Sequence, residues 1–468
     1  MNLAWLFVKN TGTSIFLTGK AGTGKTTFLR TLKDKLPKRM VVVAPTGIAA
    51  INANGVTIHS FFQLPFAPYA PNATFKTDGI YRLSKEKQRI LRTLDLLVID
   101  EISMVRADLL DSVDMVLRRY RDRSKPFGGV QLLLIGDLQQ LPPVVKDEEW
   151  TFLSTYYDSP YFFSSLALKQ MGYITIELKQ VYRQNDQEFL SLLNKIRDNK
   201  ADENTFNKLN SRYIPNFVPP SGEDYIRLVT HNYQAQNINE SKLAELPGTT
   251  KLYKASITGV FPEQSYPTEF VLEIKNNAQV MFVKNDSTGK GRYYNGMLGK
   301  VVTVNARGIT VKGNETGELI ELQPEEWTNT KYVLNKETHE IEEKVEGTFK
   351  QFPLRLAWAV TIHKSQGLTF EHAIIDAQHS FAHGQTYVAL SRCKTLEGLV
   401  LSAPLSASAV ICDEKITRFN QDASASKPTR EVLVQMQRAY ELYLIDELFD
   451  FRPIGIAFER MTRFIDEH

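Results

Sequence analysis

The chain has 468 residues, of which 43% are hydrophobic, and it carries a net charge of +3; this length allows two to four domains, each with its own core. The small net charge excludes a protein that binds polyanions through bulk charge, and two cysteines exclude a four-thiolate metal site and a disulfide framework. Because no apolar run reaches the length of a bilayer span and the first residues lack the pattern of a signal or transit peptide, we expect a cytoplasmic protein without membrane contact.

Short apolar runs alternate with helical patterns over the first part of the chain. The helical spacing of apolar residues is clearest in Thr26–Leu36 and Asp108–Tyr120. Alternation of strands and helices predicts an α/β fold, in which helices cover both faces of a parallel sheet. The predicted strands are Ser14–Thr18, Met40–Ala44, Leu94–Asp100, Gln131–Gly136 and Ile174–Leu178.

The glycine-rich segment Gly19–Thr26 reads GKAGTGKT and fits the pattern GxxxxGK[ST] without a gap. It lies between a predicted strand and a predicted helix, which is the context in which this pattern binds nucleotide phosphates. Glycine permits backbone angles that turn successive N–H groups toward phosphate oxygens, and the helix N-terminus adds partial positive charge. We therefore predict a site for ATP and Mg²⁺, in which Lys25 reaches the β- and γ-phosphates and Thr26 holds the metal. The predicted nucleotide-binding residues here are Gly22, Thr23, Gly24, Lys25, Thr26 and Thr27.

Two carboxylates, Asp100 and Glu101, follow the apolar run Leu96–Ile99. Ligands of parallel sheets gather at the carboxyl ends of the strands, which is where these acids lie. Asp100 is suited to hold Mg²⁺, directly or through water, and Glu101 to polarise an attacking water, so the pair predicts hydrolysis and not only binding. The alternative, a strand end capped by solvated acids, is less consistent with a phosphate loop in the same unit.

A second α/β unit follows the first. Its predicted strands are Ile226–Thr230, Phe270–Ile274, Ala373–Asp376 and Gly398–Leu401. Within this unit, Gln279–Lys350 has short strand-like runs separated by Gly, Asn and Asp, which predicts an inserted small β-barrel. The segment Pro65–Lys85 is rich in Pro, Phe and Tyr and predicts an insertion in the first unit. After Ser406 the pattern becomes helical, and we expect these helices to pack on the second unit or to form a partner surface.

Three further segments carry a resemblance to a known family. They are Gly136–Val144 (GDLQQLPPV), Trp358–Phe370 (WAVTIHKSQGLTF) and Gln385–Cys393 (QTYVALSRC). With these motifs the chain resembles superfamily 1 helicases, and the segment Lys125–Gln131 (KPFGGVQ) is similar to one particular to the Pif1-like group. Helicases of the RecD and Dda types are the alternative families. The resemblance extends from about Gly19 to Leu401.

The resemblance implies an α/β fold with two RecA-like P-loop lobes and small insertions, the second lobe carrying an SH3-like β-barrel. ATP would lie in the cleft between the lobes. The implied domains are lobe 1A in residues 1–62 and 93–180, a wedge-like insertion 1B in 63–92, lobe 2A in 181–276 and 351–405, the SH3-like insertion 2B in 277–350, and a C-terminal helical segment in 406–468.

By the same resemblance, Gln140 senses the γ-phosphate, Gly367 contacts the nucleotide, and Arg183 and Arg392 are two arginine fingers. A fork of N–H donors stabilises the negative charge that phosphoryl transfer spreads over the phosphate oxygens. Without the family, a surface ion pair is the more common role for either arginine. Family members usually have a glutamine upstream of the phosphate loop that reads adenine, and this chain offers only Asn2 and Asn10 there. The predicted catalytic residues are Lys25, Asp100, Glu101, Gln140, Arg183 and Arg392.

The resemblance further implies a monomeric motor that moves 5′-to-3′ on single-stranded DNA and acts at junctions with duplex DNA. Backbone contacts and base stacking hold single strands in such proteins. The predicted DNA-binding residues of the first lobe are Pro45, Thr46, Gly47, His59, Ser60 and Phe61. Those of the second lobe are Thr230, His231, Asn232, Thr361, His363 and Lys364. For Phe61 and Phe62, core packing is the alternative, and we expect it for one of the two.

Several functions fit these motifs. The leading hypothesis is a DNA helicase that unwinds duplexes, with G-quadruplexes and RNA–DNA hybrids as further substrates and the insertion Pro65–Tyr81 as strand separator. A second is a translocase that displaces proteins from single-stranded DNA. A third is an ATP-switched DNA-binding scaffold, which Glu101 disfavours because a switch without turnover needs no such base. The basic stretch Arg118–Lys125 adds either attraction to phosphates or a solvated helix end.

Overall fold

The protein is described by a computed structural model. It describes residues 2–71, 83–180, 186–220, 223–288, 290–305, 308–335, 337–338, 340–376, 383–425 and 428–466. The helices are α1 Asn2–Asn10, α2 Lys25–Lys35, α3 Gly47–Asn52, α4 Ile58–Phe62, α5 Lys85–Thr93, α6 Ala107–Tyr120, α7 Asp147–Leu153, α8 Leu166–Met171, α9 Gln187–Arg197, α10 Glu203–Asn210, α11 Asn232–Glu245, α12 Gln385–Leu390, α13 Glu414–Ala425, α14 Arg430–Leu448 and α15 Arg452–Asp466.

The strands and the short 3-10 turns complete the secondary structure. The strands are β1 Ile15–Gly19, β2 Met40–Ala44, β3 Val56–Thr57, β4 Leu96–Ile99, β5 Gln131–Gly136, β6 Ile174–Leu178, β7 Ile226–Val229, β8 Lys251–Lys254, β9 Ser256–Gly259, β10 Val271–Ile274, β11 Gln279–Phe282, β12 Leu298–Asn305, β13 Gly308–Gly313, β14 Leu319–Leu322, β15 Glu325–Leu334, β16 Ile341–Gln351, β17 Leu354–Leu356, β18 Ala359–Thr361, β19 Ala373–Ile375 and β20 Leu399–Leu401. The 3-10 turns are Ile102–Met104, Pro126–Gly129, Phe162–Ser164, Glu263–Ser265 and Ala407–Ala409.

The first lobe is built on a six-stranded sheet in the order β3-β2-β4-β5-β1-β6. All its strand pairs are parallel, and every residue of β4 is buried, as expected for a sheet covered on both faces. The predicted α/β fold is confirmed here, and each of the five predicted strands is present within two residues. The strand β3 was not predicted because its two residues are too few to show a periodic pattern.

The second lobe contains a four-stranded parallel sheet in the order β18-β7-β19-β20. Three of its strands were predicted, whereas β18 was missed because it has only three residues inside a longer apolar run. The prediction that Phe270–Ile274 belongs to this sheet was wrong. That segment forms β10, which pairs antiparallel with β8 in a separate two-stranded sheet.

An antiparallel β region is inserted in the second lobe. Strands β14-β13-β12-β11-β17 form one sheet, and β15-β16-β9 form another. These strands, together with β8 and β10, extend from Lys251 to Leu356, so the β region is wider than the predicted residues 277–350. The reason is that strands outside the predicted bounds pair antiparallel with one another or with strands inside them: β8 with β10, β9 with β16, and β17 with β11. We call Lys251–Leu356 the β insertion; its closure as an SH3-like barrel stays a prediction.

A long hairpin of the β insertion, formed by β15 and β16, reaches the first lobe. Tyr332 of β15 is 6% exposed and belongs to the apolar core of that lobe. Its hydroxyl accepts a hydrogen bond of 3.2 Å from the Val42 N–H, and its ring meets Phe61 edge-on at 5.9 Å. Outside the core, Lys33 of α2 pairs with Glu343 of β16 at 2.7 Å. The hairpin therefore holds the β insertion against the first lobe.

Two of the C-terminal helices, α13 and α14, pack on the first lobe. Phe419 of α13 stacks on Phe163 at 4.5 Å, and Leu433 of α14 is buried in the same cluster as Phe7 of α1. The expectation that these helices pack on the second lobe was wrong. The helical pattern predicted that these helices have apolar faces, but it did not predict which lobe those faces contact. That lobe is determined by contacts between residues that are hundreds of positions apart in sequence.

Candidate functional site

The predicted site residues of both lobes lie at the carboxyl ends of parallel strands. In the first lobe, the phosphate loop follows β1, Asp100 follows β4, and Gln140 lies four residues after the end of β5. These three strands are neighbours in the sheet order. The fold therefore gathers the predicted ATP-site residues at one edge of the sheet, where ligands of α/β proteins bind.

The phosphate loop has the backbone that its glycines permit. Gly22 and Gly24 have φ of 76° and 85°, in the left-handed region that favours glycine. A Cβ at Gly19 would lie 2.7 Å from the Leu178 carbonyl oxygen, so this position has no room for a side chain. Lys25 starts α2, and its ammonium donates to the Gly19 carbonyl at 2.6 Å. The predicted phosphate ligands therefore lie together at the N-terminus of α2, with Thr26 and Thr27 on its exposed first turn.

The acidic pair lies beside Lys25. Burial raises the pKa of Asp100 to about 6, and burial together with the charge of Asp100 raises the pKa of Glu101 to about 7. Burial lowers the pKa of Lys25, although the nearby carboxylates of Asp137, Glu101 and Asp100 oppose that shift. Glu101 has a φ of 51°, a left-handed conformation that is uncommon for a non-glycine residue. A carboxylate poised near neutral pH is suited to accept a proton from water.

The residues present fit a magnesium ion. The Thr26 hydroxyl and the Asp100 carboxylate are oxygen donors of the kind that Mg²⁺ prefers, and Mg²⁺ is usually bound by one or two carboxylates with substrate phosphates. Among the residues that the structure describes, no cluster of three or more His, Cys, Asp or Glu side chains is arranged for a metal. The chain therefore offers a partial ligand set, which nucleotide phosphates would complete.

The second lobe contributes groups that contact the acidic pair. The Gln366 side-chain amide donates to Glu101 at 2.9 Å and lies 3.4 Å from the Gln140 side-chain oxygen. Gly384, with a φ of 73°, is packed so closely that a Cβ there would lie 2.2 Å from the Gln140 carbonyl oxygen. Gly367, predicted as a nucleotide ligand, lies next to Gln366 at the exposed side of the cleft. The two lobes are thus in direct contact at the predicted site of chemistry.

A second bridge between the lobes was not predicted. Arg197, at the end of α9 in the second lobe, donates to Asp137 at 3.1 Å, and Asn194 of the same helix accepts from Lys20 of the phosphate loop at 2.6 Å. Asp137 is 1% exposed. Burial alone would raise its pKa, but the charges of Arg197 and Lys25 lower it. Asp137 could have been identified from its place in the GDLQQ motif, whereas no local signal marks Arg197.

Of the two predicted arginine fingers, the structure describes one. Arg392 is 1% exposed and donates to the carbonyl oxygens of Val388, Ser365 and Leu368 in the second lobe. Its positive charge lowers the pKa of Glu101, against the larger effect of burial. Arg392 is therefore close to the site, although these hydrogen bonds hold it within its own lobe. Arg183 lies outside the described residues.

The predicted DNA residues of the first lobe lie at the ends of β2 and β3. Thr46 caps α3 by accepting a hydrogen bond of 3.2 Å from the Ala49 N–H. His59 stacks on Phe66 with ring centroids 4.5 Å apart, and Phe66 is 82% exposed. Ser60 is exposed in the same turn. A cavity of about 260 Å³ lies between this pair and Pro45. Apart from Phe61, these residues form one surface with an accessible aromatic ring.

Phe61 is not part of that surface. It is 4% exposed and packs edge-on against Phe62 in the core. Phe62 is also fully buried, so both phenylalanines are core residues, and the prediction that Phe61 binds DNA was wrong. Two adjacent aromatics in a short helix gave no indication of which one faces outward, whereas Phe66 lies in the Pro-rich insertion just after it.

The predicted DNA residues of the second lobe lie at the ends of two adjacent strands. Thr361 of β18 aligns with Val229 of β7, so Thr230–Asn232 and His363–Lys364 emerge at the same edge. His231 and Lys364 are exposed, whereas Thr230 and Thr361 are 6% and 3% exposed. Thr361 accepts a hydrogen bond from the Lys364 N–H and so shapes this turn. Burial lowers the pKa of His363, which favours its neutral form.

The β insertion covers part of the first-lobe surface. Gly47 lies against the 3-10 turn Glu263–Ser265, since a Cβ on Gly47 would lie 2.9 Å from the Ser265 hydroxyl oxygen. The neighbouring Ile51 packs into a small core of the β insertion that contains Trp327 and Phe349. In this conformation the β insertion covers one side of Gly47, which stays partly exposed, and so limits the access of a nucleic acid strand to this backbone.

A search of protein families gives a match to the PIF1-like helicase model over residues 5–207. The human ATP-dependent DNA helicase PIF1 is 36% identical over 425 residues, covering 87% of this chain and 61% of the human protein. The ATP-dependent DNA helicase Pif1 of Bdellovibrio bacteriovorus is 32% identical over 418 residues, covering 87% of this chain and 88% of the relative. The chain thus spans less than two thirds of the human relative and most of the bacterial one.

Solved structures of similar sequence agree in fold. Unliganded Pif1 from Bacteroides sp is 41% identical and has a TM-score of 0.82, over 90% of this chain and 96% of that one. Pif1 helicase from Bacteroides in complex with ADP-AlF3 and ssDNA is also 41% identical but has a TM-score of 0.65, over 91% and 96% of the two chains. By this measure the chain is more similar to the unliganded relative than to the complex that contains ssDNA.

Proposed function

The chain belongs to the PIF1-like helicase family, and from this premise we propose that it is an ATP-dependent DNA helicase. It hydrolyses ATP in the cleft between its lobes and moves along single-stranded DNA in the 5′-to-3′ direction, unwinding duplex DNA at junctions. The direction rests on the resemblance to the family. The human and Bdellovibrio relatives are named ATP-dependent DNA helicases, which supports the same activity for this chain.

The contact of Gln366 with Glu101 is the observation that carries this proposal. It joins a residue of the second lobe to the predicted general base of the first lobe at 2.9 Å. Hydrolysis therefore depends on the distance between the lobes, and any movement of the lobes is in turn coupled to the state of the nucleotide. A pure binding scaffold would need neither a buried base nor a partner for it across the cleft.

The chain's own groups supply the chemistry. Lys25 and the N–H groups at the start of α2 bind the phosphates, because they combine a positive charge with a helix N-terminus. Glu101 orients the attacking water and takes up its proton, while Gln140 faces the position of the terminal phosphate. Thr26 and Asp100 would hold Mg²⁺, which when bound would neutralise charge on the phosphates. Arg392 would add a positive charge when the cleft closes fully.

The DNA path requires that the β insertion moves. Gly47 is covered by Glu263–Ser265, and Tyr332 fastens the hairpin to the first lobe. The lower TM-score with the ssDNA-bound relative supports a different arrangement of domains once DNA is bound. We propose that a single strand then runs over Thr46 and His59 of the first lobe and His231 and Lys364 of the second.

Strand displacement on partial duplexes tests the proposal. Substrates with either a 5′ or a 3′ single-stranded tail are incubated with the full chain, with and without ATP and Mg²⁺, and the release of the labelled strand is measured. We expect ATP-dependent release from the 5′-tailed substrate alone. Release from the 3′-tailed substrate would overturn the direction, and release without ATP would overturn the motor.

A parallel assay separates unwinding from translocation. Displacement of streptavidin from the biotinylated end of a single strand, without any unwinding, would favour the protein-displacing translocase. Shortening residues 66–75 should leave DNA-stimulated ATP hydrolysis largely intact and reduce unwinding, if this insertion separates strands; its residues from 72 onward lie outside the described part of the chain. Equal loss of both activities would contradict that role. Quadruplex and RNA–DNA hybrid substrates with the same tail then define the range of substrates.

A further inference from the structure

The bridge between Arg197 and Asp137 lies next to the predicted sensor of the terminal phosphate. Asp137 accepts hydrogen bonds from three groups: the Arg197 guanidinium at 3.1 Å, the Gln139 N–H at 3.1 Å and the Gln140 side-chain amide at 3.2 Å. One of its oxygens serves Arg197 and Gln139, and the other serves Gln140. Asp137 therefore connects a charge of the second lobe to the orientation of the Gln140 side chain.

Arg197 is firmly part of the second lobe. The apolar residues of α9, including Phe189, Leu193 and Ile196, are buried in the core of that lobe. From this helix, the guanidinium reaches across the cleft to a first-lobe carboxylate that is 1% exposed. It also donates to Asp198 at 3.1 Å, and among the described residues its buried Nε has no hydrogen-bond partner. A charge in this position depends on Asp137, because an unpaired buried charge is costly.

The Gln140 side chain is held at both of its ends by groups that depend on the second lobe. Its amide donates to Asp137, which Arg197 holds, and its oxygen lies 3.4 Å from the Gln366 amide. These two contacts fix the orientation of the side-chain amide, since donor and acceptor ends are distinct. If the lobes separate, Gln140 loses Gln366 and Asp137 loses Arg197, whereas the hydrogen bonds of Asp137 to the Gln139 N–H and the Gln140 amide lie within the first lobe.

We propose that Arg197 is a positioning residue for ATP hydrolysis, which holds Asp137 from the second lobe and thereby orients Gln140 toward the terminal phosphate. The inference deepens the proposed function and rests on it, because it requires that the cleft hydrolyses ATP. Its consequence is that the Gln140 side chain is fully oriented only while the lobes are closed. Opening the cleft removes the two second-lobe contacts that support the Gln140 side chain, directly through Gln366 and indirectly through Arg197 and Asp137.

The test compares substitutions at each end of the bridge in the full chain. The variants are Arg197→Ala, Arg197→Lys, Asp137→Asn and the double variant Arg197→Ala with Asp137→Asn. Lys195→Ala is the matched control, because Lys195 lies on the same helix but pairs at the surface with Asp202. For each, kcat and KM for ATP are measured with saturating single-stranded DNA, together with the affinity for ADP and the melting temperature.

We expect Arg197→Ala and Asp137→Asn each to lower kcat by roughly 10- to 100-fold, the scale of a lost orienting contact, with less than about a threefold change in KM and in ADP affinity. The double variant should be no slower than the slower single variant, because both break one relay. Arg197→Lys should recover part of the rate, and Lys195→Ala should behave as wild type. A structural role alone would lower the melting temperature without this separation of kcat from KM.

Three results would overturn the inference. They are a kcat of Arg197→Ala within about twofold of wild type, effects of the two single variants that multiply in the double variant, and a normal rate in Asp137→Asn when Arg197→Ala is slow. The last would mean that Arg197 acts without Asp137. If Arg197→Ala does not fold, Arg197→Lys and Asp137→Asn decide the matter by the same criteria. A wild-type chain that hydrolyses no ATP with any DNA would instead refute the proposed function itself.

Discussion

Two of the contacts between the halves of the molecule, at the cleft and at the hairpin, differ in chemistry. In the cleft, Leu141 and Met104 pack with the second-lobe core, and beside them lie polar contacts: Gln366 with Glu101, Arg197 with Asp137, and Lys20 with Asn194. At the hairpin, the main contact is an aromatic ring buried in the core of the first lobe. Polar contacts between buried groups respond to a charged ligand, whereas apolar burial does not depend on the charge of its surroundings.

From this difference we expect each contact to change when a different ligand binds. ATP brings negative charge to the cleft, where Lys25, Arg197 and Arg392 are close to the acidic pair, so the balance of charges there changes on binding. The hairpin contact is distant from the phosphates and holds the β insertion over Gly47, so we expect DNA to compete with it. The following substitutions test whether the two contacts can be altered independently.

The largest effect is expected from Lys25→Ala. The ammonium is the main positive charge of the phosphate loop, so its loss should lower DNA-stimulated ATP hydrolysis on the order of 1,000-fold. Binding of single-stranded DNA without nucleotide should remain measurable, because the hairpin contact is untouched. Phosphate release and fluorescence anisotropy of labelled DNA measure the two properties. Loss of DNA binding in a folded variant would contradict the independence of the two contacts.

A smaller effect on the same contact is expected from Gln366→Ala. Removing the donor to Glu101 should lower kcat by roughly 10-fold, since the base keeps its place in the first lobe but loses its orienting partner. Gln366→Glu should be slower still, because it places a second carboxylate against Glu101. Steady-state kinetics with saturating DNA measure both. An unchanged kcat in both variants would show that the contact across the cleft has no role in hydrolysis.

At the hairpin, Tyr332→Ala should weaken docking by about 3 kcal/mol through loss of a buried aromatic ring. Without nucleotide, we expect single-stranded DNA to bind at least roughly 10-fold more tightly, since less work is needed to uncover Gly47. Anisotropy titrations measure this affinity.

Tyr332→Phe is the matched control for the ring. It removes only the hydroxyl bonded to Val42 and should cost about 1 kcal/mol, so its effect on DNA affinity should be clearly smaller. Equal or weaker DNA binding by a folded Tyr332→Ala variant would argue against the hairpin as a barrier to DNA.

The smallest effect is expected from Lys33→Ala, at the other end of the helix that begins with Lys25. Its pair with Glu343 is partly exposed, and surface pairs contribute about 0–1 kcal/mol. DNA affinity should therefore rise by less than about fivefold, and the difference should vanish at high salt because the charges are screened. ATP hydrolysis should match wild type. A rate as low as that of Lys25→Ala would mean that α2 transmits the hairpin contact to the nucleotide.

The sequence predicted the cleft far better than the hairpin. The phosphate loop and Asp100 could be found because their chemistry demands particular residues next to particular elements, so the signal is local, and Gln140 followed from the resemblance of its motif to the family. Tyr332 gave no such signal, since an aromatic residue in a strand is consistent with many partners. Its role follows from packing against Val42, which is 290 residues away in sequence.

The same reasoning accounts for the errors within the site. Phe61 and Phe62 are identical residues next to each other in the sequence, so the sequence does not distinguish them. Only the packing of α4 on the sheet shows that both are buried. Arg197 was missed because a cation at the end of a helix is common and usually solvated. The helices after Ser406 were assigned to the wrong lobe because an apolar face identifies that a helix packs, not what it packs on.

The packing of α13 and α14 has a consequence for mechanics. The chain leaves the first lobe after β6, builds the second lobe, and then returns to the first lobe, where Phe419 and Leu433 anchor it. The lobes are thus joined by two covalent connections in place of one. Two bodies tied at two points can swing about the line through those points but cannot twist freely, so the backbone connections restrict how the lobes can move relative to each other.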